Sequence, residues 1–137
     1  IRIIDEDLVR ILKIDPIDVE LIVKKELREL QRREEGYRAN RPPLDIQEKI
    51  AILIDDGLAT GSSMCAAVHG VHALSPQKII VAVPVASHEA LERVGLEVDE
   101  VVCTVSPLPF LGVGQWYEDF SQTTDETVRK LLNSVAA

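Results

Sequence analysis

A chain of 137 residues, 46% of them hydrophobic and 28% charged, is long enough for one modest core and too short for two ordinary domains. Its formal charge of −8 argues against a nucleic-acid backbone as partner, since that needs clustered Lys and Arg. No apolar run approaches the ~20 residues that a membrane helix requires, and no basic leader with an apolar stretch and a small-residue cleavage site opens the sequence. A soluble, cytoplasmic, single-domain protein without nucleic-acid or membrane partners is therefore expected.

Residues 1–45 read as a helical segment with a linker, and residues 46–137 as a βαβ core. Ile1 to Ile4 has the pattern of a short strand, and Asp5 or Asp7 suits the cap of a brief helix through Leu12. The next helix has clear starting grammar: Asp15 at the cap, Pro16 at the first helical position, and Asp18 and Glu20 in the first turn. It is expected to reach about Glu35, with Val19, Val23, Leu27 and Leu30 on one face. Basic residues gather between Lys24 and Arg41, but Glu26, Glu29, Glu34 and Glu35 interleave with them, which marks a solvated helix face. Gly36 and Arg41-Pro42-Pro43 should end the helix in an extended linker.

From Lys49 onward, short apolar runs alternate with helical spans, the signature of βαβ units around a parallel sheet. The strands are expected at Ile50 to Ile54, Lys78 to Val83 and Glu100 to Val105, with helices of roughly Ser63 to Leu74 and Ser87 to Val94 between them. The nearly continuous apolar character of the strands predicts helices on both sheet faces. Ser106-Pro107-Leu108-Pro109 should be an irregular loop, and a last helix should run from Asp125 to about Val135. The two cysteines, Cys65 and Cys103, are far apart in sequence and are expected to be buried thiols. His69 and His72 stand three apart on one helix with no third ligand at suitable spacing, so a metal site there has little support. Ser87 is the expected cap of the helix that contains His88.

The stretch that carries chemistry is Ile50 to Met64: an apolar strand, the pair Asp55-Asp56, then Gly57-Leu58-Ala59-Thr60-Gly61-Ser62-Ser63 leading into a helix. Ligands of an open parallel sheet bind beyond the carboxyl ends of its strands, where the two acids stand. Two carboxylates there can accept hydrogen bonds from vicinal ribose hydroxyls and balance a Mg²⁺ ion held by the sugar and a pyrophosphate. Backbone N–H groups from Ala59 to Ser63, the hydroxyls of Thr60, Ser62 and Ser63, and a helix start make a cup for a phosphate. Gly57 and Gly61 are read as the positions that permit positive φ and close backbone approach. A ribose at the acids and a phosphate one sugar away describe a 5-phosphoribosyl group. The loop has no Lys after Gly61, which removes a P-loop, and it lacks G-x-G-x-x-G. The plain alternative is an ordinary turn followed by a Thr60 helix cap.

This segment resembles the phosphoribosyl pyrophosphate (PRPP) motif of type I phosphoribosyltransferases. From Ile1 to the Gln115-Trp116-Tyr117-Glu118-Asp119-Phe120 segment, the chain is similar to a bacterial group of predicted phosphoribosyltransferases. The resemblance implies an α/β fold with a parallel sheet and a Mg²⁺-dependent transfer of the phosphoribosyl group from PRPP to a nitrogenous base. It implies that Asp55 and Asp56 hold the ribose hydroxyls and that Ala59, Thr60, Gly61, Ser62 and Ser63 bind the 5′-phosphate. Trp116 is a candidate base contact, with packing in the aromatic cluster as its alternative. Nothing before Asp55 matches the Arg-Gly-Gly-like loop with which the family grips pyrophosphate, and Arg41-Pro42-Pro43 is no substitute. The expectation is therefore that the N-terminal part of the fold lies upstream of Ile1. The competing function is a non-catalytic module that senses PRPP or a nucleotide. A homo-oligomer, which would cover exposed edges and the amphipathic helix, is expected.

Overall fold

The computed structural model describes Ile4, residues 6–38 and residues 44–134. The expected strand at Ile1 to Ile4 falls outside these apart from Ile4, which has no regular structure, and so do Arg41-Pro42-Pro43 and the predicted helix end at Val135. The described residues divide into two compact units, one of residues 44–120 and the other of residues 4–38 with 121–134.

The first unit is built around a parallel sheet in the order β1-β2-β3, with β1 at Ile50–Ile54, β2 at Lys78–Val85 and β3 at Glu100–Val105. Helix α3 (Ser62–His72) joins β1 to β2, and α4 (His88–Gly95) joins β2 to β3. Two crossovers that step the same way along a sheet and share the right-handed sense place both helices on one face. Burial follows that geometry. Ile79, Val81 and Val83 of β2 are buried with Met64, Cys65 and Val68 of α3 and Ala90 and Val94 of α4, and Leu53, Val101 and Cys103 pack against this cluster.

The opposite face differs from the expectation of helices on both sides. There Ile50, Ile52, Ile54 and Val102 are 50% exposed or more. The sequence pattern could not show this, because an apolar strand looks the same whether one layer or two cover it. Strand β2 also runs past its expected end at Val83. Pro84 has no N–H for the ladder, yet pairing with β3 holds on either side of it, at Val83↔Cys103 and Val85↔Val105. Cys65 is buried, which with the nearby Glu97 pushes its thiol pKa up. Cys103 is only partly buried and its thiol donates to the Val105 carbonyl at 3.2 Å.

In the second unit, α1 spans Glu6–Ile11 and α2 spans Pro16–Arg38, so α2 passes through Gly36, where termination was expected. Just past Gly36, the Tyr37 hydroxyl donates to Asp125 Oδ1 at 2.6 Å. Arg32 Nη1 donates to the other oxygen of Asp125 at 2.7 Å. Asp125 opens α5 (Asp125–Ser134), and the Tyr37 and Arg32 donors hold its carboxyl below the usual carboxylate range. No residue of α2 is fully buried. Among the described residues, no helix is long and apolar enough to cross a membrane.

Candidate ribose-phosphate site

Strand β1 ends at Ile54, and the chain turns through Asp55, Asp56 and Gly57 at the carboxyl edge of the sheet. The turn is stitched to the end of β2. Leu58 N–H donates to the Val85 carbonyl at 3.0 Å, and Ser87 N–H donates to the Leu58 carbonyl at 3.0 Å. The Ser87 hydroxyl then donates to the Ala59 carbonyl at 2.7 Å while accepting the Ala90 N–H of α4 at 3.0 Å. The expected cap of α4 therefore holds its helix and the glycine-rich loop together. With Leu58 only 3% exposed, the loop is anchored at its base, and Ala59 and Thr60 stay exposed at its crest.

The two glycines are needed for different reasons. Gly61 has φ of 75°, and a Cβ there would lie 3.1 Å from Val94 Cγ2 of α4. Gly57 is required by space alone, since a Cβ would meet Val113 Cγ1 at 2.7 Å and the Val85 carbonyl at 2.8 Å. Its expected positive φ is not found; among the described glycines, that conformation belongs to Gly61 and Gly112.

Gly61 is also the N-cap of α3, and as a glycine it offers no side-chain cap of its own. The N–H groups of Ser63 and Met64 lie in the first turn, before the first intrahelical donor, Cys65, which reaches the Gly61 carbonyl at 2.9 Å. The Thr60 hydroxyl turns inward, donating to Ser62 Oγ at 3.2 Å, and its oxygen stands 3.4 Å from the Ser62 N–H.

A cleft of about 200 Å³ opens here, and it brings together Asp55 and the whole run Ala59, Thr60, Gly61, Ser62 and Ser63. Asp56, the next residue, is exposed and does not line the cleft. Its N–H donates to Asp55 Oδ1 at 2.9 Å, and its carbonyl accepts the Tyr117 hydroxyl at 2.6 Å. Trp116 closes a 3-10 turn, Val113–Trp116, and is 48% exposed outside the cleft lining. Of the aromatic cluster, Tyr117 and Phe120 pack on each other with ring centres 5.3 Å apart. Tyr117 and Val113 thus brace the acidic turn from the chain after β3, a role the sequence did not reveal because the two segments lie far apart along it.

The histidines have partners of their own. His69 Nε2 is 3.0 Å from Glu97 Oε2, His72 Nε2 donates to the Glu97 carbonyl at 2.9 Å, and His88 Nδ1 is 2.6 Å from Ser106 Oγ. No group of three or more His, Cys, Asp or Glu among the described residues could hold a metal ion. Among the described residues, Asp55 alone offers the cleft a carboxylate. That donor set suits a Mg²⁺ ion that keeps its waters and takes most of its ligands from a phosphorylated substrate.

Comparison with known proteins identifies the family. The family model of the phosphoribosyl transferase domain matches residues 7–109. Two Mycobacterium tuberculosis proteins, from strains CDC 1551 and H37Rv and each named provisionally as a phosphoribosyl transferase, are 36% identical over 133 residues. The match takes in 97% of this chain but only 30% of theirs. The crystal structure of TT1426 from Thermus thermophilus superposes with a TM-score of 0.76 at 39% identity, covering 90% of this chain and 59% of that one.

Proposed function

This chain belongs to the type I phosphoribosyltransferase family, and from that premise we propose that its cleft binds PRPP and serves transfer of the 5-phosphoribosyl group to a nitrogenous base. The observation that carries the reading is the convergence of one carboxylate, two hydroxyl-bearing serines and an uncapped helix start on a single cleft. Carboxylates accept from sugar hydroxyls, and unsatisfied first-turn N–H groups donate to a phosphate.

In this proposal Asp55 accepts hydrogen bonds from the ribose hydroxyls. Asp56 completes the acidic pair at the rim, its backbone fixed by Tyr117. Ala59, Thr60, Gly61, Ser62 and Ser63 seat the 5′-phosphate. With both ends of the sugar held, C1 is presented to the base. The nitrogen of the base forms its bond to C1 as the C1–O bond to pyrophosphate breaks, and the pyrophosphate leaves with the electron pair. The ring passes through oxocarbenium character, and the Asp55 and Asp56 charges stabilise it there. Mg²⁺, when bound, neutralises the leaving pyrophosphate. Trp116, exposed on its turn, is proposed as a stacking surface for the base.

Calorimetric titration with PRPP, with and without Mg²⁺ and with ribose 5-phosphate as control, tests the reading. Saturable binding that Mg²⁺ strengthens is expected. The double variant Asp55→Asn, Asp56→Asn should lose ribose binding with its melting temperature unchanged, because both side chains are exposed. Unfolding of that variant would make the pair structural and remove the assignment. Binding of PRPP without turnover of any purine or pyrimidine base would favour the second reading, a PRPP sensor.

A further inference from the structure

The cleft has an electrostatic deficit. A 5′-phosphate brings up to two negative charges, the chain is already at −8, Asp55 faces the same space, and none of the described residues lining it is Lys or Arg. Backbone N–H groups supply partial charges only. A full positive charge does stand directly behind the loop. Arg93 of α4 extends Nη1 to Ser62 Oγ at 3.2 Å, with Nη2 3.5 Å from Glu89 of the same helix.

The hydrogen-bond directions at Ser62 then become informative. A guanidinium can only donate, so one lone pair of Ser62 Oγ is taken by Arg93. The Thr60 hydroxyl donates to the same oxygen at 3.2 Å. With both lone pairs engaged, the remaining capacity of the Ser62 hydroxyl is its proton, and Ser62 lines the cleft. The helix carrying Arg93 is itself fixed against the loop, by the Ser87 hydroxyl on the Ala59 carbonyl and by Val94 and Ala90 beside Gly61.

Resting on the reading of this loop as the 5′-phosphate seat, we propose that Arg93 is a positioning residue for the phosphate, orienting the Ser62 hydroxyl as a donor into the cleft and placing a positive charge behind it. Arg93 does not touch the ligand. It acts through Ser62, so its contribution disappears when the Ser62 hydroxyl does.

The test is titration of ribose 5-phosphate into the wild-type chain, Arg93→Met, Ser62→Ala and the double variant, each at low and high salt. Arg93→Met is expected to weaken binding about tenfold and to flatten the salt dependence of the affinity. Arg93→Lys, which keeps the charge, should recover part of the loss. In the Ser62→Ala background, Arg93→Met should weaken binding little further, because residues acting as one unit are not additive. Should Arg93→Met melt early, Arg93→Gln carries the same comparison. Wild-type affinity in Arg93→Met, or losses that simply add in the double variant, would overturn the proposal and leave the loop reading standing. No binding of ribose 5-phosphate by the wild-type chain would instead remove the loop reading, and this inference with it.

Discussion

Helices α2, α4 and α5 begin in one way and α3 in another. At the start of α2, Asp15 Oδ1 accepts the Ile17 N–H at 2.8 Å; at α4, Ser87 Oγ accepts the Ala90 N–H at 3.0 Å; at α5, Thr124 Oγ1 accepts the Thr127 N–H at 3.2 Å. Helix α3 starts on Gly61 with no side-chain cap. A cap uses donors that would otherwise face solvent or a ligand, and it stabilises the helix by about 0.5–2 kcal/mol. Leaving α3 uncapped forgoes that stabilisation at the one of these four starts that opens into a cleft with a carboxylate on its other side. On the proposed reading, this difference leaves the first-turn N–H groups of Ser63 and Met64 for a phosphate, while the Ser62 N–H already meets Thr60 Oγ1 at 3.4 Å.

The sharpest way to break the comparison is Gly61→Ala. The φ of 75° is costly for any residue with a Cβ, and Val94 and the Ala90 carbonyl would crowd it at 3.1 and 3.4 Å. The variant should lose about 1–3 kcal/mol of stability and more than tenfold in ribose 5-phosphate affinity, read from melting curves with and without ligand. Affinity held at the wild-type value would mean that the loop does not seat the phosphate. Ser87→Ala comes next. It removes the cap of α4 and the hydroxyl that holds the Ala59 carbonyl, so it should cost about 1 kcal/mol and weaken ligand binding several-fold, although Ser87 lies outside the cleft lining. Unchanged affinity in that variant would show that the loop keeps its shape without α4.

The sequence was most legible where local chemistry repeats along the chain. The turn after β1, the loop from Ala59 to Ser63 and the Ser87 cap could be placed because each signal sits within a few residues of its element, though of the acidic pair only Asp55 lines the cleft. The strands were legible too, to within the two residues by which β2 outruns its expected end at Val83. What stayed hidden depends on partners distant in sequence. Gly36 looks like a helix stop until Tyr37 is seen on Asp125, 88 positions away. The exposed sheet face bearing Ile50, Ile52 and Ile54 looks like a covered one until both crossovers are found on the other side. Arg93 on Ser62 and Tyr117 on Asp56 span 31 and 61 positions, and no periodicity or motif joins them. The residues that line the cleft, Asp55 and Ala59 to Ser63, thus stand in one stretch of sequence, while the side chains that brace them do not.

The smallest effect is expected at Thr124, and it is the control that gives the comparison its meaning. Thr124→Ala removes a cap of the same kind as Ser87, and the α5 start should lose about 0.5–1 kcal/mol. Tyr37 and Arg32 still hold Asp125 in the next position, so the helix should persist. The Thr124 hydroxyl bonds to Thr127, and Thr124 is not among the cleft-lining residues. Its loss should therefore lower the melting temperature slightly while the rise produced by ribose 5-phosphate stays at the wild-type value. If that rise shrank in Thr124→Ala as much as in Ser87→Ala, the weakening in both would be a general response to lost stability. If only the variants at Gly61 and Ser87 lose it, the open start of α3 and the loop that shapes it carry the phosphate.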